Sequence, residues 1–250
     1  MPVAWSIVAQ NLPEHARNPI HTDEGAQAAG FPRALVAGVT TYAYMTHPIV
    51  AAWGLEWMQS GGGEFRFRKP VFDKDVVTCE PTEVSDGVRI DVHTAESEDP
   101  RAFFIAVRNA GAVQPLREGE KLQNSSYVLG DTFGSDYGLR AGDGFSIYRD
   151  SGIVHPAVWP ALANDVVYNQ VARGSWIHMR SIVRHHALAR EGATAELSSV
   201  VVRRFEAHGE RAVLDVHISV DGVVVASLEH EAIVALDNTQ SGLFVTQLWP

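Results

Sequence analysis

The sequence predicts an α+β fold in which one unit, a buried helix followed by an antiparallel sheet, occurs twice along the chain. A run without charged residues, 34–55, precedes four strand-like segments, and the same order returns after residue 127. A helix that is apolar on every side is typically covered on every side. Two copies of one unit in 250 residues indicate two fused domains.

In the first half, the uncharged run 34–55 is expected to form a buried helix that opens near Gly38 and is interrupted at Pro48. About 20 uncharged residues could also span a bilayer. The glycine, threonines and proline in the run favour a helix wrapped by a sheet instead. Phe65 and Phe67 alternate with arginines, as in a strand with one buried face. The predicted strands are 63–72, 76–84, 88–95 and 103–113.

The second half repeats this order after a polar, non-periodic stretch, 115–126, which is interpreted as a linker. The predicted domains are therefore 1–114 and 127–250. Residues 155–174 are helix-like, and residues 161–168 can be laid over 35–42, which aligns Asn164 with Gly38. Asp221-Gly222 is typical of a hairpin turn. The predicted strands of this half are 175–187, 195–207, 211–220 and 223–236.

Composition and charge exclude several classes of function. The hydrophobic content of 46% and charged content of 20% are typical of a globular protein, so no membrane partner is expected. A formal net charge of −10 argues against nucleic acid, whose phosphates require a basic surface. Cys79 is the single cysteine, which excludes an internal disulfide. Residues 1–10 lack the pattern of a signal peptide, so a cytoplasmic location is expected.

The chemistry is expected at Asn18-Pro19-Ile20-His21 and at the start of the first helix. Pro19 fixes the backbone, so the tetrapeptide is predicted to be a rigid turn that presents His21. Histidine exchanges a proton near neutral pH, and the amide of Asn18 can orient a water molecule. The first turn of a helix has unpaired N–H groups that suit an oxyanion, and Gly38 allows close approach to its backbone.

These residues resemble a known family, the MaoC-like, (R)-specific enoyl-CoA hydratase branch of the hotdog superfamily. The resemblance covers residues 18–23, 28–31 and 35–39, and continues in 65–72 with the aspartates at 73 and 75. It implies a double hotdog, in which each antiparallel sheet wraps around a long helix. It also implies that His21 and Asn18 are catalytic, that the Gly38 N–H holds the thioester oxygen, and that Val39 and Tyr42 contact substrate.

One position departs from the family. An aspartate two residues before the motif's asparagine shares the acid/base work there, and Ala16 occupies that position. Glu14 is near enough in sequence to be a substitute. In FabA/FabZ-type dehydratases of the same superfamily, the carboxylate comes from the partner hotdog's helix, which makes Asp165 a candidate to face His21. That pairing predicts that Asp165→Asn abolishes turnover without unfolding the protein.

Three functions remain open. The first is a hydratase or dehydratase that acts on an enoyl or 3-hydroxyacyl thioester, with CoA or an acyl carrier protein as the carrier. The second is a hotdog thioesterase, and the third is a non-catalytic acyl-thioester-binding protein. The hydro-lyase is preferred because the motif around His21 belongs to that branch. No cofactor and no metal are expected, and a homodimer of double hotdogs is compatible with the sequence.

Overall fold

The computed structural model describes residues 1–207 and 209–235, in which an antiparallel sheet of eleven strands surrounds two long helices. The predicted α+β class and the two helix-and-sheet units are confirmed. The last residue of the predicted strand 223–236, and the part of the predicted second domain after residue 235, lie outside the described residues.

The first half contains five strands and three helices. Two short 3-10 turns, Pro13–Arg17 and Pro19–His21, come between its first strand and its first helix. Its elements are β1 (Trp5–Val8), α1 (Asp23–Ala28), α2 (Gly38–Trp53), α3 (Trp57–Ser60), β2 (Gly62–Phe67), β3 (Val76–Val84), β4 (Gly87–Thr94) and β5 (Ser97–Val107).

The second half begins with two short strands. The first lies inside the predicted linker, 115–126, and the second begins at its end. Both pair with a later strand of the same half, so this stretch extends the sheet. The elements are β6 (Glu120–Lys121), β7 (Ser125–Val128), α4 (Tyr137–Arg140), α5 (Ile147–Ser151), α6 (Val158–Gln170), β8 (Ile177–His185), β9 (Thr194–Glu206), β10 (Glu210–Val220) and β11 (Val223–Ala235).

One continuous sheet joins the two halves. Its strand order is β1-β3-β4-β5-β2-β8-β11-β10-β9-β6, and β7 also pairs with β9. The halves meet where β2 pairs with β8, with Phe65 opposite Ser181. The pairing of β2 with β8 brings the chain just before β8 close to the start of α2 and to the motif turn of the first half.

Helix α2 starts at Gly38, as predicted, but Pro48 does not interrupt it. A proline inside a helix costs about 3 kcal/mol. Tyr42, Met45 and Ile49 on this helix are fully buried, and burial of each such side chain stabilises by roughly 1.5–3 kcal/mol. Packing of the helix against the sheet therefore outweighs the loss of one backbone hydrogen bond.

Strand β5 differs most from its prediction. It starts at Ser97 and ends at Val107, whereas 103–113 was predicted. Pro100 and three neighbouring acidic residues hide the strand from a pattern search. Pairing with β4 defines it, since Thr94 lies opposite Ser97 across a tight connection.

Candidate active site

Two adjoining cavities lie between the motif turn of the first half and helix α6 of the second half. Their volumes are about 50 Å³ and about 130 Å³. The first is also lined by Gly38, Thr41, Phe67 and Lys69, and the second by Glu14, His15, Arg17 and Tyr137. We call the four residues that line both cavities the junction: Asn18, His21, Asn164 and Trp176.

His21 is held at the junction in one orientation. Its Nδ1 lies 2.8 Å from the carbonyl oxygen of Leu35. That carbonyl is itself fixed, because the Leu35 N–H donates to Ile20 and Leu35 forms a β-bridge with Phe72. A carbonyl accepts only, so Nδ1 carries the proton and Nε2 is left with a lone pair. Burial lowers the pKa of His21 to about 4, and the bond to Leu35 opposes this shift. The imidazole is therefore a neutral base at pH 7.

Asn18 connects the motif turn to the second half of the chain. It is buried, and its Nδ2 donates to the carbonyl oxygen of Trp176 over 2.9 Å. Its Oδ1 is also buried and has no hydrogen-bond partner among the described residues. An amide oriented in this way presents an acceptor to whatever occupies the junction.

Gly38 lines the first cavity at the start of α2. As the first residue of α2, its N–H has no acceptor inside the helix, and Ala37 before it supplies no side-chain cap. A Cβ at position 38 would come within 2.7 Å of the Phe67 ring. Glycine is thus required for this ring to pack against the start of the helix, next to the first cavity.

The turn that carries Ala16 presents a different residue to the second cavity. Ala16 is exposed, whereas His15 lines the cavity with its ring centroid 5.9 Å from that of His21. The Nε2 of His15 lies 3.0 Å from the Tyr137 hydroxyl, and burial lowers the pKa of His15 to about 3. Glu14, the substitute weighed from the sequence, also lines this cavity but is paired with Arg140 at 2.5 Å.

Asp165 does not face His21 as expected. Its carboxylate is bound by the Arg17 guanidinium, the Tyr127 hydroxyl and, over 2.8 Å, the Asn169 amide. It is absent from the linings of both cavities. Successive residues of a helix point about 100° apart, and Asn164 is the one that reaches the junction.

Two other expected substrate contacts are core residues in the structure. Tyr42 is fully buried, and its ring stacks on Phe65 at a centroid distance of 4.1 Å. Val39 is also fully buried. Neither lines the first or the second cavity. The helix phase explains this, because Gly38 and Thr41 share the side of α2 that lines the first cavity, whereas Val39 and Tyr42 point into the core.

The sequence analysis missed Asn164 and Trp176 as site residues. Each has a buried polar atom without a partner among the described residues, namely Asn164 Oδ1 and Trp176 Nε1. The alignment of position 164 with Gly38 in the repeat is the one sequence signal that could have identified Asn164.

Among the described residues, no helix is long and apolar enough to cross a membrane.

One family model matches part of the first half. Residues 13–99 match the model of the MaoC like domain, whereas no curated protein matches the chain. The MaoC-like part of the resemblance is thereby confirmed, and the (R)-specific enoyl-CoA hydratase branch stays a prediction.

Solved structures match nearly the whole chain at low sequence identity. A conserved hypothetical protein of Mycobacterium tuberculosis with a double hotdog fold has a TM-score of 0.63 and 13% identity, over 93% of this chain and 96% of that one. The PpsC dehydratase domain of M. tuberculosis, solved with C12:1-CoA, has a TM-score of 0.52 and 12% identity, over 93% of both chains. A Lactobacillus plantarum protein, provisionally assigned as an oleoyl thioesterase, has a TM-score of 0.53 and 10% identity, over 95% of this chain and 98% of that one.

At such identities the structural matches establish the fold and nothing finer. The eleven-stranded sheet around two long helices in this chain agrees with the double hotdog fold of the M. tuberculosis protein. Residues 13–99 match the MaoC like domain, and the chain adopts the double hotdog fold.

Proposed function

We propose that this protein adds water to an enoyl thioester, or removes it from a 3-hydroxyacyl thioester, with His21 as the acid/base. The observation that carries the proposal is the bond from His21 Nδ1 to Leu35, 2.8 Å long, which leaves Nε2 as a base at the junction. Gly38, the first residue of α2, lines the adjoining first cavity, and its N–H has no acceptor inside the helix.

The proposed reaction proceeds as follows in the direction of hydration. Water attacks C3 of the enoyl thioester as His21 Nε2 takes one of its protons. The π electrons of C2=C3 move toward the thioester carbonyl, and the Gly38 N–H stabilises the resulting negative charge on oxygen. The protonated His21 then delivers its proton to C2. Dehydration is the reverse of these steps.

A single base can complete this cycle, so Ala16 does not prevent it. The proton that leaves water is the one that arrives at C2, and His21 starts and ends neutral. The pKa of His21 near 4 keeps it neutral at physiological pH. Asn18 is proposed to hold the Trp176 backbone in place beside His21, through the hydrogen bond that its Nδ2 donates to the Trp176 carbonyl oxygen.

The thioester class of ligand has support from a relative. The PpsC dehydratase domain binds C12:1-CoA, and we propose an acyl-CoA for this chain on the same fold. An acyl carrier protein as the carrier, an (R)-configured product and a homodimer of double hotdogs remain predictions. Asp165 is proposed to hold Arg17 in place beside the second cavity, rather than to transfer a proton.

Purified protein incubated with a series of enoyl-CoAs and examined by mass spectrometry tests the proposal. The wild-type protein is expected to form a product that is heavier by one water and still carries CoA. The His21→Ala variant is expected not to form this product. His93→Gln, at a partly exposed strand position away from the cavities, is the matched control. Release of free CoA without a hydrated product would contradict the hydro-lyase.

A hotdog thioesterase is the second candidate, because one neutral histidine at the junction can also activate water for attack on the thioester carbonyl. The same assay separates the two reactions by their products. Binding of acyl-CoA without either product would leave the third function, a non-catalytic acyl-thioester-binding protein.

A further inference from the structure

The second half contributes two buried polar atoms that have no hydrogen-bond partner among the described residues. These are the carbonyl oxygen Oδ1 of Asn164 on α6 and the indole Nε1–H of Trp176 just before β8. A buried polar group left unpaired costs about 1–3 kcal/mol, so most such groups in native proteins are paired. One acceptor and one donor are thus open on residues that line the same two cavities, where a ligand could supply a partner to each.

Both atoms belong to the junction. Asn164 and Trp176 line the first and the second cavity, as do Asn18 and His21. The Asn18 amide donates to the Trp176 backbone carbonyl, which fixes the two halves of the site against each other. The open polar groups are thus beside the proposed base.

We propose that Asn164 and Trp176 bind the oxygen on C3 of the substrate, which is the attacking water in one direction and the 3-hydroxyl in the other. This inference rests on the proposed hydro-lyase function. Asn164 Oδ1 accepts the hydrogen that His21 does not take, and the Trp176 Nε1–H donates to the same oxygen. The second half is then part of the site and more than a scaffold or lid for the acyl chain.

The repeat explains how the two halves came to contribute different groups. Position 38 is the first residue of α2, where a backbone N–H is unpaired, and glycine exposes it. Position 164, its counterpart in the repeat, lies inside α6, which begins at Val158. The backbone N–H there is used by the helix, so only a side chain can reach a ligand. Asparagine supplies an acceptor of the length needed.

The test measures binding of a 3-hydroxyacyl-CoA against its deoxy analogue. In a His21→Gln background, which blocks turnover, the Kd values for 3-hydroxybutyryl-CoA and butyryl-CoA are measured by calorimetry. The 3-hydroxyl is expected to improve affinity about tenfold, equal to about 1.4 kcal/mol. Asn164→Leu, of similar size, and Trp176→Phe should each remove most of this preference. Ser199→Ala is the matched control, because its hydroxyl is also buried and unpartnered but lies away from the junction.

Thermal unfolding of each variant excludes a folding defect. Since Asn164→Leu removes an unpaired buried carbonyl, its Tm is expected to equal or exceed that of the parent. Turnover of the wild-type protein with enoyl-CoAs is measured in parallel. If the wild type turns over and the preference for the 3-hydroxyl survives in Asn164→Leu, this inference alone is overturned. A preference that Asn164→Leu removes, without wild-type turnover, would overturn the hydro-lyase and retain the hydroxyl site. Neither turnover nor preference would overturn both.

Discussion

Acidification from pH 7.0 to pH 5.5 is expected to destabilise the folded protein strongly, because several histidines are buried in their neutral form. His155, His185 and His230 are at most 1% exposed, and burial lowers the pKa of each to about 3. His155 Nδ1 accepts a hydrogen bond from the Ala157 N–H, which requires the unprotonated nitrogen. Burial also lowers the pKa of His178 well below its ordinary value.

The sign and size follow from proton linkage. In the unfolded chain these histidines have pKa values near 6.5, so at pH 5.5 the unfolded state binds protons that the folded state does not. Stability therefore falls as the pH drops below about 6.5, and continues to fall toward pH 3. Between pH 7.0 and 5.5 each histidine contributes a loss of about 1.3 kcal/mol, and three contribute about 4 kcal/mol. Carboxylates remain mostly ionised in this range and add little.

Urea unfolding at the two pH values, followed by fluorescence of the six tryptophans, measures this loss. His185→Phe should reduce the loss by about 1.3 kcal/mol, since both ring nitrogens of His185 are buried and unpartnered among the described residues. His93→Gln, at a partly exposed strand position, is the control for substitution of a histidine. A free energy of unfolding that changes by less than about 1 kcal/mol between the two pH values would refute the reasoning.

Three further predictions concern the site. Gly38→Ala should lower kcat/KM by about tenfold or more, because the new Cβ would lie 2.7 Å from the Phe67 ring and displace either the ring or the start of α2. Steady-state kinetics measure this effect. Gly144→Ala is the control, since a Cβ there meets nothing within 4 Å. Asp165→Asn should cost about 1–2 kcal/mol of stability through its weakened contact with Arg17 while turnover persists; loss of turnover with unchanged stability would instead support the catalytic role expected from the sequence. Because burial lowers the pKa of His21 to about 4, the pH profile of kcat/KM should show no histidine titration between pH 5.5 and 8. A fall in kcat/KM on the acid side with a pKa near 6.5 would contradict a neutral His21 base.

Local patterns predicted the fold well where one element determines its own structure. Strand β3 has the predicted bounds, and α2 begins at the predicted glycine. Pro48 and β5 were misjudged because tertiary packing and strand pairing, which no local pattern contains, decided them. The short strands β6 and β7 likewise exist only through pairing with β9.

The site was predictable only where it is local in sequence. The motif places Asn18 and His21 on one turn, and Gly38 begins the next long helix, so the three reach neighbouring cavity walls. Asn164 and Trp176 come from the second half, and the pairing of β2 with β8 brings that half to the site. Asp165 was chosen because the related dehydratases have a carboxylate on this helix. Which side chain of the helix reaches the junction depends on its phase, about 100° per residue, which the sequence does not show.

The most direct test of the account is deuterium exchange at C2 of 3-hydroxybutyryl-CoA in D₂O, measured by mass spectrometry with wild-type protein and His21→Gln. If His21 Nε2 carries the proton between water and C2, the wild type should incorporate deuterium at C2 as it interconverts the hydroxyacyl and enoyl thioesters. His21→Gln, which keeps a polar side chain at the junction, should show neither exchange nor interconversion. Equal exchange in the two proteins would contradict the central claim that His21 is the acid/base of this site.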